Sequence, residues 1–331
     1  GRFKVGAICI GNAKRAFYEA GQYAKKRKQF GSPICRFGLI REKIAKTAIR
    51  IFAAETMMYR TAGLIQSRID RLCHESSQSL SNTAAALKDY IIECSINKVF
   101  GSETEGYVVD EEVQIFGGYS YIRGHHPEMA YRHARPNRIW EGTNEINRIV
   151  ILSTLFKKLD AAGFHPSNEP EALLADVKGH FQAAGGSEND LSALKSILAA
   201  AKSVASRAVS VACERLGSTV RNEQQAVIGL LADLIIDIYA MESMWLRCRK
   251  IGHESSKQQK ISLAMARAYF AQAQGRLAGA AFEIFGALEG TENSGALIRS
   301  LEALSFGYPI DQVAVREMIA AQMIKKGRYS I

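Results

Sequence analysis

The stretch that decides the fold is Ile139–Arg148, which reads IWEGTNEINR. It places one acidic residue, Glu141, directly before the predicted start of a helix. Gly142 lets the backbone turn, Thr143 can cap the helix that follows, and the unpaired amides of a first helical turn favour negative charge. A carboxylate at such a bend either complements the helix dipole or acts as a base that points away from the helix. The local pattern leaves both interpretations open.

Outward from this bend, the pattern of apolar residues predicts an all-α protein. Apolar residues recur at spacings of three and four through segments rich in Ala, Leu, Ile, Lys, Arg, Gln and Glu. No run of alternating apolar and polar residues predicts a strand convincingly. A short helix is expected before Gly117, and an irregular stretch from there to Trp140. The predicted helices cover about residues 4–28, 37–67, 80–108, 143–159, 170–184, 188–217, 221–251, 257–287 and 311–325.

The length of 331 residues and the apolar content of 47% predict two domains with a buried core each. We place them at residues 1–159 and 171–331, joined by a linker at 160–170. Helical segments of the second half match those of the first at offsets of 187 and 169. The second domain is therefore interpreted as a degenerate, non-catalytic copy, although amphipathic helices also match by chance.

The charge of the chain is unevenly distributed. The formal net charge is +10, and residues 1–155 hold 23 Lys and Arg against 15 Asp and Glu. A basic surface can bind nucleic acid, anionic lipid or phosphate-bearing small molecules. Because aromatic residues are not interleaved with the basic clusters, the pattern favours small molecules and argues against nucleic acid.

Cysteine and histidine give no sign of a metal centre or a disulfide scaffold. None of the six cysteines forms a Cys-x-x-Cys pair, so they are interpreted as reduced core thiols. The adjacent His125 and His126 are interpreted as polar loop residues, and no metal is expected. We find no signal peptide and no apolar run near the roughly 18–20 residues that span a bilayer. The chain opens at Gly1 without Met, which suggests that it was cut from a longer protein and has lost any targeting segment.

Two motifs give the chain a family resemblance. Gln114-Ile115-Phe116-Gly117-Gly118 lies upstream of the basic run Arg132, Arg135 and Arg138, which leads into Trp140 and Glu141. Residues 1–155 thereby resemble the C-terminal four-helix-bundle domain of the acyl-CoA dehydrogenases. The phrases FGLIREKIA, KVFGSE and IWEGTNEINR are most similar to the very-long-chain members, which also carry an additional C-terminal helical domain.

The resemblance implies a flavin-dependent oxidation of acyl-CoA thioesters in fatty acid β-oxidation. Glu141 would remove the α-proton and the β-hydrogen would pass to N5 of FAD, which gives a trans-2-enoyl-CoA. Substrate contacts are expected from Arg2, Trp140 and Gly142. Cofactor contacts are expected from three segments: Arg27, Gln29 and Phe30; Gln114, Gly117 and Gly118; and Thr143, Asn144 and Glu145. In the family the first two segments reach the FAD of a neighbouring subunit, which implies a homodimer.

The chain departs from the family pattern at two positions. Gly38 stands where many members have a glutamine that touches the partner's flavin, so this contact is in doubt. Gly1 stands where some branches hold their base, just before Arg2, which leaves Glu141 as the candidate base. The family's N-terminal helical domain and middle β-domain are not found in these 331 residues, so we expect the isolated chain to have little or no activity.

The resemblance also sets the expected partners and the alternatives. Electron-transfer flavoprotein is the expected electron acceptor, and an acyl-CoA oxidase or a nitroalkane-type flavoenzyme would differ in that acceptor. A non-catalytic helical scaffold for dimerisation or for peripheral membrane contact is the alternative from another class. The location is expected to be cytoplasmic in a bacterium, and the mitochondrial matrix or inner-membrane face in a eukaryote.

Overall fold

A computed structural model describes residues 1–75, 79–163, 170–185, 190–217, 224–252, 256–290, 294–306 and 309–329. The predicted all-α fold is confirmed, with twelve α-helices in this described part. Its one two-stranded element is a hairpin of β1 (Lys28–Gln29) and β2 (Ser32–Pro33). The helices form two compact units, Gly1–Asn147 with Gln312–Ile331, and Arg148–Asp311.

The first unit is built around three long helices and three shorter ones. The α4 helix packs against α1, α2, α3 and α5, and α2 also packs against α1, α3 and α12. Their bounds are α1 (Arg2–Lys26), α2 (Gly38–Glu75), α3 (Ser79–Asp89), α4 (Ile91–Phe116), α5 (His126–Ala134) and α12 (Gln312–Lys326).

The central helix of this unit is α4, in which the nine consecutive residues from Cys94 to Ser102 are all buried. A helix that is buried on every side lies inside the protein rather than on its surface. Two glycines set how closely α1 approaches it. A Cβ added to Gly6 would lie 2.8 Å from the Asn97 carbonyl oxygen, and one added to Gly101 would lie 3.2 Å from the Gly6 Cα. The backbones of α1 and α4 therefore touch where these glycines meet.

The last helix, α12, belongs to the first unit although it follows the second in sequence. It buries Val315, Ile319 and Met323 and packs against α2. The amide of Gln22 on α1 donates a hydrogen bond of 2.7 Å to the Gly327 carbonyl just after this helix. These units divide the chain differently from the predicted domains at 1–159 and 171–331, because the apolar face of α12 packs on the earlier helices.

The second unit is a bundle in which α8, α9 and α10 pack against one another and α7 and α11 complete the layer. Its largest fully buried side chains include Leu194, Ile197 and Phe270. The bounds are α6 (Asn144–Ala161), whose first residues belong to the first unit, α7 (Pro170–Gly185), α8 (Asp190–Leu216), α9 (Gln225–Ile251), α10 (Ser256–Glu289) and α11 (Ser294–Phe306).

Three local predictions were wrong. The predicted helix 80–108 is two helices, because the chain breaks at Tyr90 between α3 and α4. The helix expected just before Gly117 is the end of the long α4. The stretch expected to be irregular up to Trp140 contains α5, whose Pro127 at the first turn is favourable for a helix start. The helix α11 was not predicted, and the predicted linker 160–170 lies largely outside the described residues.

By length and composition alone, one helix of the described part, α8, could cross a membrane. This differs from the expectation that no apolar run approaches that length. The most apolar window of α8 is 67% buried inside the protein, as is usual for a core helix.

Candidate active site

The bend at Glu141 has an unusual backbone. Glu141 has a φ of 55° and Gly142 a φ of 80°, so two consecutive residues are left-handed. Glycine adopts this conformation without strain, whereas a residue with a Cβ loses about 1–2 kcal/mol. The turn at Gly142 was predicted, but the strain at Glu141 was not. The Glu141 side chain is exposed.

Thr143 caps α6, as the sequence predicted. Its hydroxyl oxygen accepts a hydrogen bond of 3.3 Å from the backbone N–H of Ile146. One turn into the helix, the buried side-chain amide of Asn147 donates back to the carbonyls of Gly142 and Thr143 at 2.8 and 2.9 Å. The bend is therefore tied to the helix that follows it.

A buried lysine on α4 contacts the same bend. Lys98 is fully buried, and its ammonium donates hydrogen bonds of 2.7 Å to the Gly142 carbonyl and to Oδ1 of Asn144. Burial lowers the pKa of Lys98 from its usual value. Asn144 also donates to Glu103 and contacts Ser102, so its side chain is turned into the protein. A direct cofactor contact of Asn144 would have to use its backbone.

The N-terminus of α1 lies beside Glu141. A Cβ added to Gly1 would come within 2.0 Å of Oε2 of Glu141, so residue 1 points to the place that the Glu141 carboxylate fills. Arg2 donates a hydrogen bond of 3.2 Å to Ser95 on α4. Trp140 is 54% exposed, so its side chain does not belong to the buried core.

A second feature of the first unit is an open cavity of about 570 Å³ at the C-terminal ends of α1 and α4. Tyr23 and Phe116 in its lining stack directly on each other with ring centroids 4.1 Å apart, and the Arg27 guanidinium lies 5.6 Å from the centre of the Tyr119 ring. The lining combines four predicted cofactor residues, Arg27, Gln29, Gly117 and Gly118, with the apolar or aromatic Tyr23, Ile34, Ile115, Phe116, Tyr119 and Ile122.

The residues that follow Arg27 form the hairpin of β1 and β2, whose turn is Phe30 and Gly31. Phe30 and Gly31 both have a positive φ, 49° and 77°, which is the pattern of a tight type I′ hairpin. The Phe30 side chain is 93% exposed and projects from this turn.

The structure does not bring all predicted residues to one place. Phe30, Gln114 and Glu145 are exposed and are not among the residues that line the cavity, and neither is Glu141. The candidate base and the cavity are thus separate features of one unit. Tyr23 and Tyr119 were not predicted, although Tyr23 lies one helical turn before Arg27 and could have been found from that spacing.

Comparisons with known proteins show which family the chain resembles. The family model described as "Acyl-CoA dehydrogenase, C-terminal domain" matches residues 1–156, and a second model with the same description matches residues 200–301. A probable acyl-CoA dehydrogenase of Bacillus subtilis is 33% identical over 332 residues, covering 100% of this chain and 56% of that protein. The mitochondrial very long-chain specific acyl-CoA dehydrogenase of Bos taurus is 28% identical over 281 residues, 79% of this chain and 40% of that protein.

Among solved structures, an acyl-CoA dehydrogenase from Bacillus anthracis complexed with FAD matches with a TM-score of 0.88 at 33% identity. The match covers 100% of this chain and 56% of that one. The chain therefore spans between 40% and 56% of the length of these relatives. On these matches and on the helical architecture described above, the chain belongs to the acyl-CoA dehydrogenase family.

Proposed function

We propose that this chain supplies the base and part of the flavin site of an acyl-CoA dehydrogenase that oxidises long-chain acyl-CoA to trans-2-enoyl-CoA. The observation that carries the proposal is the exposed Glu141 carboxylate on a strained, hydrogen-bonded bend. Strained residues of this kind cluster at functional sites, where the surrounding structure holds them in place.

The α-proton of a thioester is weakly acidic, so a carboxylate must be held within hydrogen-bond reach of it while the carbonyl is polarised. Glu141 is suited to this task because its backbone cannot relax without breaking the hydrogen bonds around Gly142. Gly1 lies beside the same carboxylate, and Arg2 and Trp140, each next in sequence to one of these two residues, would contact the acyl-CoA. FAD, when bound, supplies the acceptor for the β-hydrogen as hydride.

The cavity fits part of a dinucleotide. Arg27 offers a forked guanidinium of the geometry that binds two oxygens of a diphosphate. Gly117 and Gly118 expose backbone next to it, and Tyr23, Phe116 and Tyr119 offer aromatic faces to an adenine ring. Gln29 adds an exposed amide at the rim. We assign FAD as the ligand of this cavity.

The separation of Glu141 from the cavity supports a homodimer. Within this unit Glu141 is not among the residues that line the cavity, so the flavin beside Glu141 and the flavin in the cavity can be two different molecules. We therefore propose that the cavity serves the flavin of a partner copy, as the family resemblance implies for Arg27 and the Gln114 turn.

The second unit is proposed to be a non-catalytic copy with a scaffold role. Its match to a model of the same description supports this, and so does a pair of equivalent positions. The cation–π contact between Arg50 on α2 and Tyr107 on α4, at 4.6 Å, corresponds at offsets of 187 and 169 to the ion pair of Asp237 on α9 and Arg276 on α10. Peripheral membrane contact would also belong to this unit.

The direct test replaces Glu141 by Gln in the protein at its full natural length, loaded with FAD. Turnover of a series of acyl-CoA chain lengths is followed by dye reduction, and again with electron-transfer flavoprotein or oxygen as the acceptor. We expect kcat to fall about 10³-fold, which is within the usual contribution of a general base. Glu128→Gln, which removes a carboxylate paired with the exposed Arg132, is the matched control.

Each arm has a result that contradicts one part of the proposal. Unchanged turnover in Glu141→Gln would favour the non-catalytic scaffold. Rapid turnover with oxygen but not with the flavoprotein would favour an acyl-CoA oxidase. Robust turnover by residues 1–331 alone would contradict the expectation that they are inactive by themselves.

A further inference from the structure

Two buried charged residues on α4 face the two ends of the segment that carries Glu141. Lys98 and Glu105 are 0% and 1% exposed. They are seven residues apart, which is two helical turns or about 10 Å along one face of the helix. Burying an ionised side chain is unfavourable unless its hydrogen bonds are satisfied, so both charges require an explanation.

Lys98 contacts the C-terminal end of the segment. Its two hydrogen bonds of 2.7 Å go to the Gly142 carbonyl and to Asn144, both of which are neutral. The same groups could be satisfied by a neutral donor with a smaller desolvation penalty. The ammonium instead draws electron density from the peptide group between Gly142 and Thr143, one residue after Glu141, and holds it in one orientation.

Glu105 contacts the N-terminal end. Its Oε2 accepts a hydrogen bond of 2.6 Å from the side-chain amide of Asn137, and its Oε1 accepts one of 2.8 Å from Asn12 on α1. Asn137 is itself 3% exposed and lies four residues before Glu141. The Glu105 carboxylate on α4 thus connects the segment that carries Glu141 to α1 as well as to α4.

We infer that Lys98 and Glu105 are positioning residues for the base: they bracket the segment from Asn137 to Asn144 and hold Glu141 in its left-handed conformation. This inference rests on the proposed role of Glu141. Neither residue touches the substrate in this arrangement. Their effect is that the strain at Glu141 is balanced by hydrogen bonds on both sides of it, so the carboxylate stays beside residue 1.

The test uses Lys98→Met, with Lys46→Met as the matched control because Lys46 forms a surface pair with Glu42 on α2. Both are made in the full-length, FAD-loaded protein, and rates are expressed per bound flavin. We expect Lys98→Met to lower kcat about 10- to 100-fold with little change in KM, and Lys46→Met to change neither. A purely structural role would reduce the amount of holoprotein but leave kcat per flavin unchanged.

A double-mutant cycle separates this inference from the proposed function. If Lys98 acts through Glu141, then Lys98→Met adds little to the loss already caused by Glu141→Gln. An inactive Glu141→Gln together with a normal Lys98→Met would overturn the inference and leave the proposed function intact. An active Glu141→Gln would overturn the proposed function itself.

A second readout does not depend on activity. A crystal structure of Lys98→Met should show residue 141 in more than one backbone conformation or with a negative φ, and an unchanged φ near 55° with unchanged kcat would overturn the inference. If Lys98→Met does not fold, Asn137→Ala removes the opposite anchor from the segment and leaves Lys98 in place. Asn137→Ala is expected to give the same fall in kcat per flavin. An unchanged kcat per flavin in Asn137→Ala would also overturn the inference.

Discussion

Glu112 makes the stability of the first unit depend on pH. This residue of α4 is 0% exposed, and its Oε1 lies 2.8 Å from Nδ1 of His126 at the start of α5. Burial raises the pKa of Glu112 from 4.5 to about 7; the contact with His126 opposes this rise, as does the charge of Arg15, while Glu19 adds to it. The folded protein therefore holds this proton to a higher pH than the unfolded chain does.

The sign of the effect follows from linkage. A carboxyl with a raised pKa in the folded state contributes stability that is complete below pH 4.5 and is lost as the pH rises through about 7. One pKa unit corresponds to about 1.4 kcal/mol, so between pH 5 and pH 8 the Glu112 contribution falls by about 2.5 kcal/mol. Glu112→Gln cannot ionise and removes this loss.

The measurement is urea unfolding of the wild type and Glu112→Gln at pH 5 and pH 8, in a Trp245→Phe background. Trp140 then reports on the first unit alone, since the chain has two tryptophans. We subtract the free energy of unfolding of the wild type from that of Glu112→Gln at each pH. This difference should be about 2.5 kcal/mol larger at pH 8 than at pH 5. Glu317→Gln, at an exposed pair with Arg41, should keep the wild-type pH dependence. Parallel pH curves for Glu112→Gln and the wild type would refute the reasoning.

Three further predictions concern other parts of the chain. Arg27→Ala should weaken FAD binding about 10- to 100-fold, as expected for a lost charge-assisted contact to phosphate, whereas Lys28→Ala should not; a fluorescence titration that finds equal affinities would contradict the assignment of the cavity. Deletion of residues 312–331 should lower the thermal midpoint of the first unit by several degrees in circular dichroism, because the buried face of α12 is lost. Asp237→Ala should destabilise the second unit by about 2 kcal/mol in urea, since Arg276 loses both of its hydrogen bonds to the carboxylate; no change in the urea midpoint would show that solvent replaces them fully.

Much of the fold was accessible from sequence because helical periodicity is a local signal. The start of α6 at Thr143, its capping hydroxyl and the turn at Gly142 follow from residue types within a few positions. The break between α3 and α4 at Tyr90 could not be predicted in this way, because neither proline nor glycine marks it. The α12 helix was found, but its place on α2 depends on packing between residues that are more than 250 positions apart.

The candidate site could likewise be predicted from the sequence only in part. Glu141 and the Arg27 segment were predicted as site residues through motifs, and the chemistry proposed for them comes from the family resemblance. The roles of Lys98 and Glu105 could not be found, since a lysine or glutamate in a helical pattern is usually solvated and only the fold shows that both are buried. The separation of Glu141 from the cavity is also a property of the tertiary structure.

The contact between Gly6 and Gly101 has a consequence for how this protein can change in evolution. Gly1, directly before α1, and Lys98 on α4 reach the Glu141 bend, and Glu105 on α4 holds Asn137 four residues before it. The common alignment of these groups therefore depends on the spacing of α1 and α4. Alanine at either glycine would wedge the backbones apart by a fraction of an ångström and displace one set of groups relative to the other. We expect such variants to lose turnover before they lose solubility. The absence of a Cβ at Gly6 and at Gly101 would then set the distance between the helices that position the base, although neither glycine is part of the site.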